Sequence, residues 1–220
     1  MPVHHEMKSN ARQEFEAWAD SYDRHYLNYW LFRPSYRLFL EELFRWRGYE
    51  GPPYDLLDVG CGSGTFVTLL AATRLPVRRV VALDYAAQMC RVARRKAQGG
   101  GCETFIRYVN ADSEHLPFAD GAFDVITCSN SFHHYPHQPE VIREMHRVLR
   151  PGGRLMLVDG FRDNVVGWFV FDVCIAAVEG AVHHAPWSMV NRWFKQAGFR
   201  EVTHRKFNYW FPGLLTTGVA

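Results

Sequence analysis

From residue 54 onward, short apolar runs alternate with stretches in which apolar side chains recur every three or four positions. The short runs, residues 55–59, 79–84, 104–110, 124–129 and 154–159, are rich in Val, Ile, Leu or aromatics and predict strands. Between them, residues 64–74, 86–98 and 139–149 carry the spacing of amphipathic helices. Gly99-Gly100-Gly101 ends the second helix, and Pro151-Gly152-Gly153 is expected to end the third and turn into the next strand. This alternation predicts an α/β domain. Near the C-terminus, residues 188–197 predict a helix with Ser188 as N-cap and Gly198 as stop. Residues 201–208 and 209–219 follow as two strands, too close in sequence for a parallel crossover, and therefore form an antiparallel hairpin at one sheet edge. No repeat or low-complexity linker interrupts the chain.

Composition narrows the class. At roughly 100 to 200 residues per domain, 220 residues make one domain, and 48% hydrophobic with 22% charged residues fits a globular protein. A formal net charge of +2 gives no field for a polyanionic partner. Arg91, Arg94, Arg95 and Lys96 lie on a predicted helix without interleaved aromatics, which reads as a solvated face, so nucleic acid is not expected. The five cysteines are scattered without a CxxC, which argues against a disulfide framework or cysteine metal site and for a reducing cytoplasm. Residues 1–10 have no apolar stretch of the signal-peptide kind. Residues 165–182 approach a membrane span but contain Asp172 and Glu179. A span needs about 20 apolar residues, and a carboxylate near its centre costs roughly 2.5–3.5 kcal/mol. The segment therefore reads as a helix packed on the domain, and no integral membrane segment is expected.

The candidate chemistry starts at Leu56-Leu57-Asp58-Val59-Gly60-Cys61-Gly62-Ser63-Gly64-Thr65-Phe66, a strand that turns through glycines into a helix. Glycine permits positive φ and close ligand approach, and the free N–H groups of the helix start favour a pyrophosphate or a carboxylate. A dinucleotide fingerprint needs GxGxxG; here the third position is Thr65, and there is no GK[ST] of a P-loop. Asp84, at the end of the second strand, can accept hydrogen bonds from two ribose hydroxyls, which by itself suits a nicotinamide dinucleotide equally. Each acid also has a plain structural reading as a helix cap.

Together with Val80-Val81-Ala82-Leu83-Asp84, Asn110-Ala111-Asp112, Phe123-Asp124-Val125-Ile126 and Arg147-Val148-Leu149-Arg150-Pro151-Gly152-Gly153, the glycine loop resembles the class I S-adenosylmethionine-dependent methyltransferases across residues 54–160. Residues 118–124 and the His133-His134 pair are most similar to the branch containing ubiquinone and menaquinone methyltransferases. The resemblance implies a Rossmann-like, mostly parallel seven-stranded sheet with helices on both faces and S-adenosyl-L-methionine as cofactor. It also implies cofactor contacts at Tyr22, Asp58, Gly60, Cys61, Gly62, Gly64, Asp84, Tyr85, Ala111, Asp112, Ser113, Ser129 and Asn130. Among these, Asp84 would meet the ribose, Asp112 the adenine amine, and Asp58 the methionine amino group directly or through water. Tyr22 belongs to Phe15-Glu16-Ala17-Trp18-Ala19-Asp20-Ser21-Tyr22-Asp23, similar to a family element that folds over the cofactor; residues 1–50 are expected to form a helical cover.

Residues after the fourth strand should face the reacting centre. His133 and His134 are the candidate catalytic groups, because a neutral imidazole accepts protons near pH 7; the alternative is a pair that packs or caps the turn. His137, His183 and His184 add further imidazoles, but no carboxylate or cysteine completes a zinc spacing with them, so no metal is expected. The insert at 161–187, with Trp168, Phe169, Phe171 and Trp187, is read as a helical lid over a small apolar or aromatic acceptor. Its 165–182 helix is alternatively a dimer face. The competing functions are a non-catalytic S-adenosylmethionine-binding module and a nicotinamide-dependent oxidoreductase.

Overall fold

The computed structural model describes residues 26–163, 167, 184–207 and 212–220. The elements run α1 (Tyr26–Arg47), β1 (Tyr54–Val59), α2 (Thr65–Ala71), β2 (Val77–Asp84), α3 (Ala87–Gly99), β3 (Ile106–Asn110) and β4 (Phe123–Ser129). A 3₁₀ turn at Phe132–His134 leads to α4 (Gln138–Val148), β5 (Leu149–Gly160), α5 (Trp187–Ala197), β6 (Arg200–Phe207) and β7 (Gly213–Val219). The sheet has seven strands in the order β3-β2-β1-β4-β5-β7-β6. β1 to β5 are parallel, whereas β7 pairs antiparallel with both β5 and β6. The α/β reading and the C-terminal hairpin are borne out; β7, the later strand, is the one that joins the main sheet.

Every residue of β1 is buried, as expected for a central strand covered on both faces. Its side chains divide by the two-residue period of a strand. Leu57 and Val59 join Ile126, Leu155 and Leu157 against Val141, Ile142 and Met145 of α4 and Val190 and Phe194 of α5. Tyr54 and Leu56 face the other way, joining Val80, Val125 and Met156 against Phe39 and Leu43 of α1, Phe66 and Leu70 of α2, and Ala93 and Ala97 of α3. Each fully buried Leu, Val or Phe contributes roughly 1.5–3 kcal/mol of transfer free energy. The two cores hold the strand ends, and thus the loops beyond them, in fixed register.

Several boundaries differ from the sequence reading for identifiable reasons. β3 begins at Ile106, two residues later than expected, because Cys102 N–H bonds to the carbonyl of Ala97 and Phe105 N–H to that of Cys102, closing a turn before the ladder starts. α2 stops at Ala71, where Ala72 and Thr73 donate to the carbonyls of Leu69 and Leu70 and the Thr73 hydroxyl closes on the same Leu70 oxygen. α5 begins at Trp187, so Ser188 lies inside the helix; the Trp187 N–H is satisfied by the Asp163 carboxylate at 2.9 Å. Gly198 ends that helix at φ 103°, as expected. α4 ends at Val148, before Pro151-Gly152-Gly153. Those residues lie within β5 instead, where Gly152 and Gly153 exchange backbone bonds of 2.9 Å with Ala220. The Tyr22 element and most of the 161–187 insert lie outside the described residues.

Candidate active site

The carboxyl ends of β1, β2, β3 and β4 open into one cleft, which α1 borders with Phe32 and Tyr36. It encloses about 1000 Å³ including its open mouth. Of the residues expected to bind a cofactor, Gly60, Cys61, Gly62, Asp84, Tyr85, Ala111, Asp112, Ser113, Ser129 and Asn130 all line it. Gly64 and Asp58 do not. Gly64 starts α2 at φ 74°, with its space filled by Ala93 and Tyr108. Asp58 is 3% exposed and accepts the Thr127 hydroxyl at 2.7 Å.

Two glycines of the loop have different physical roles. At Gly60, φ is 72° and an added Cβ would lie 2.3 Å from the Ser131 hydroxyl oxygen and 2.6 Å from that of Tyr135. Any side chain there would push the loop from the turn after β4. Gly62 has φ 52°, and a Cβ would meet nothing within 4 Å, so its small size keeps the cleft open while its conformation favours glycine.

The acids give the cleft its character. Asp84 accepts the N–H of Gly62 at 2.8 Å and that of Ala86 at 2.9 Å, tying the glycine loop to the second strand's end. Burial pushes its pKa up to about 6 despite those bonds. Asp58 is pushed up to about 7, by burial first and by the nearby Asp84 charge in addition. Among the described residues neither forms an ion pair, and no Lys or Arg lines the cleft. Asp112 spends one oxygen on the Glu114 N–H at 3.0 Å, the local turn expected of an Asx residue.

A buried and a half-buried acid, neither in an ion pair among the described residues, beside a third fit a ligand that brings positive charge and hydroxyl or amine donors. S-adenosylmethionine carries a sulfonium, an ammonium, two ribose hydroxyls and an adenine amine, and the residues present fit it. A pyrophosphate would meet like charge here, which argues against a nicotinamide dinucleotide.

The histidine pair separates in space. His134 lines the cleft, and burial, helped by neighbouring His133, holds its pKa well below the ordinary value. His133 turns away from the cleft lining, and its Nδ1 lies 2.6 Å from Asp159 Oδ1. Tyr135 and Ser131, within the run expected to face the reacting centre but given no role of their own, also line the cleft and share a 3.0 Å hydroxyl contact. Phe32, Tyr36, Met89 and Glu114 were likewise missed. Of these only Ser131 and Tyr135 carried a signal, their position directly after the fourth strand.

Residues 57–157 match a family model described as a methyltransferase domain. With the sheet order and the acids at successive strand ends, this makes the chain similar to the class I S-adenosylmethionine-dependent methyltransferases over residues 57–157. Its likeness runs to the quinone-biosynthesis branch: over 121 residues it is 38% identical to a demethylmenaquinone methyltransferase of Thermus thermophilus, a match covering 52% of this chain and 54% of the relative. The chain spans about half the length of the curated relatives it matches. Among solved structures, the 1,6-didemethyltoxoflavin-N1-methyltransferase of Burkholderia thailandensis, with bound S-adenosylhomocysteine, superposes with a TM-score of 0.73 at 18% identity, over 98% of this chain and 89% of that one. The [4+2]-cyclase SpnF shares the fold at a TM-score of 0.69 and 18% identity, over 84% of this chain and 80% of that one.

Proposed function

We propose that this protein transfers the methyl group of S-adenosylmethionine to a small apolar or aromatic acceptor. The observation that carries the reading is a cleft that joins ten of the expected cofactor residues to His134 and to the aromatic rings of Phe32, Tyr36 and Tyr135, with no Lys or Arg among the described residues of its lining. When bound, S-adenosylmethionine supplies a methyl group already activated by its sulfonium. Asp84 is placed to accept the ribose hydroxyls and Asp112 the adenine amine, while Asp58, behind the loop, attracts the ammonium through the buried field it shares with Asp84. The glycine loop offers backbone N–H groups to the carboxylate. Alignment of nucleophile and carbon can supply several kcal/mol by itself, so the chain's main task is to hold the acceptor and exclude water.

Of the pair we assign the acceptor's proton to His134, a reading supported by its position on the cleft lining. The printed names of the relatives, a demethylmenaquinone and a didemethyltoxoflavin methyltransferase, support an aromatic acceptor. Calorimetry tests the cofactor assignment: S-adenosylhomocysteine should bind and NADH should not, and tight NADH binding alone would overturn it. With the true acceptor, His134→Ala should lower kcat by about 10²–10⁴-fold while leaving S-adenosylhomocysteine affinity intact. Near-normal turnover in that variant would leave catalysis to alignment. The fold is shared by a [4+2]-cyclase, SpnF, which keeps a second reading in view, a chain of this fold that does not transfer methyl groups. Transfer of label from the cofactor's methyl group to a compound in a cell extract separates the two.

A further inference from the structure

Behind His134, three side chains from separate parts of the chain converge. His133 comes from the 3₁₀ turn after β4, Asp159 from the end of β5, and His184 from the approach to α5. His133 Nδ1 lies 2.6 Å and His184 Nε2 3.9 Å from the same oxygen of Asp159, and one ligand atom from each residue falls within 4.8 Å of the other two. The imidazoles stack at 4.3 Å between ring centres with 21° between planes. His133 and His184 are 7% and 5% exposed, and the Asp159 side chain 13%.

We propose that His133, Asp159 and His184 form a binding site for one divalent first-row transition-metal ion. Two imidazoles and one carboxylate are the donor set such ions take with positions left open for water or ligand. Metal–nitrogen and metal–oxygen bonds near 2.0–2.2 Å put neighbouring donor atoms about 3 Å apart, a value between the two distances to Asp159. Closing on an ion therefore needs the three side chains, His184 above all, to draw together from positions within 4.8 Å of one another. The mixed nitrogen and oxygen set selects Zn²⁺, Co²⁺ or Fe²⁺ over Mg²⁺ and Ca²⁺, which take oxygen ligands. Such an ion would tie β4, β5 and the segment before α5 together, directly beside His134, whose ring centre is 4.1 Å from that of His133. The site rests on its own ligands and stands whether or not the chain transfers methyl groups.

The test uses the full chain after dialysis against a chelator. Titration with Co²⁺, followed by its visible d–d absorption, should saturate at one equivalent, and Zn²⁺ should displace it in calorimetry while millimolar Mg²⁺ should not. Saturating Zn²⁺ should raise Tm, since an ion bound only to the folded state stabilises it by mass action. His184→Ala and Asp159→Asn should each weaken Co²⁺ binding at least tenfold; circular dichroism reports whether each variant is folded, and His184→Gln serves if His184→Ala is not. His4 and His5 offer a competing pair, so the His4→Ala/His5→Ala double variant should keep the one-equivalent site. Absence of saturable Co²⁺ binding, its survival in folded His184→Ala and Asp159→Asn, or its loss in the His4→Ala/His5→Ala variant would overturn the proposal and leave a histidine–aspartate cluster that holds a proton.

Discussion

Asp55 and Asp58 stand three residues apart on the same central strand, both buried, and their surroundings are opposite. At the amino end of the sheet, Asp55 accepts Arg78 at 2.9 and 2.7 Å, Arg79 at 3.3 Å and Arg150 at 3.1 Å, while its own N–H donates to Asp124. These guanidiniums, Arg78 foremost, hold its carboxyl below the ordinary range against the cost of burial. At the carboxyl end, Asp58 has a hydroxyl and Asp84 has backbone N–H groups, and burial pushes both upward. The amino end is neutralised from within the protein. Among the described residues the carboxyl end has no such neutralising cation, which suits a ligand that brings positive charge. A buried acid surrounded by its own cations holds the fold, and one without them marks the binding face.

Substitution sharpens this contrast most. Asp84→Ala should raise the dissociation constant of S-adenosylhomocysteine by roughly 10- to 150-fold, the loss of about 1.5–3 kcal/mol in hydrogen bonds to a charged group. Calorimetry of a folded variant with unchanged affinity would break the assignment of the carboxyl end. Asp55→Ala should keep that affinity within about twofold. Urea denaturation should instead show about 1–2 kcal/mol less stability, a modest loss because its arginine partners are partly exposed and water screens them.

Acidity should separate the two ends next. Asp58 and Asp84 have folded pKa values above the ordinary 3.8, so the folded protein retains protons that the unfolded chain has released. Their contribution to stability is full below about pH 4 and is lost as pH rises towards about 7. Asp55 has the reverse sign: its contribution is present above its ordinary value and disappears as pH falls below it. Denaturation of the ligand-free protein between pH 4 and 8 should therefore show a downward component that Asp58→Asn reduces. A curve unchanged by that substitution would remove Asp58 from the argument.

The smallest effect is in the protons themselves. Near pH 6.5 a cationic ligand should drive Asp58 and Asp84 towards ionisation, so binding of S-adenosylmethionine should release protons. The binding heat should then vary with the ionisation enthalpy of the buffer, and a heat independent of buffer would show that both acids are already charged in the free protein.

The alternating pattern of residues 54–160 was enough to read five parallel strands and their helices, because burial on both faces of a central strand requires continuous apolar runs. The glycine loop with Asp84 and Asp112 was legible for a related reason: strand ends in an open α/β sheet face one edge, so spacing along the chain already implies proximity. Boundaries were less legible where a distant group set them, as when Asp163 satisfies the first N–H of α5 or Ala220 pairs with Gly152 and Gly153. The histidines show the limit most clearly. Adjacent in sequence, His133 and His134 looked equivalent, and His184 had no carboxylate near it along the chain. Only the packing of β4 against β5 turns His133 onto Asp159, leaves His134 at the cleft, and brings His184 to the same oxygen. Periodicity records which face of an element is buried, since that depends on local geometry and water alone. Which polar groups meet across the sheet depends on long-range register and loop return, and no local pattern encodes that distance.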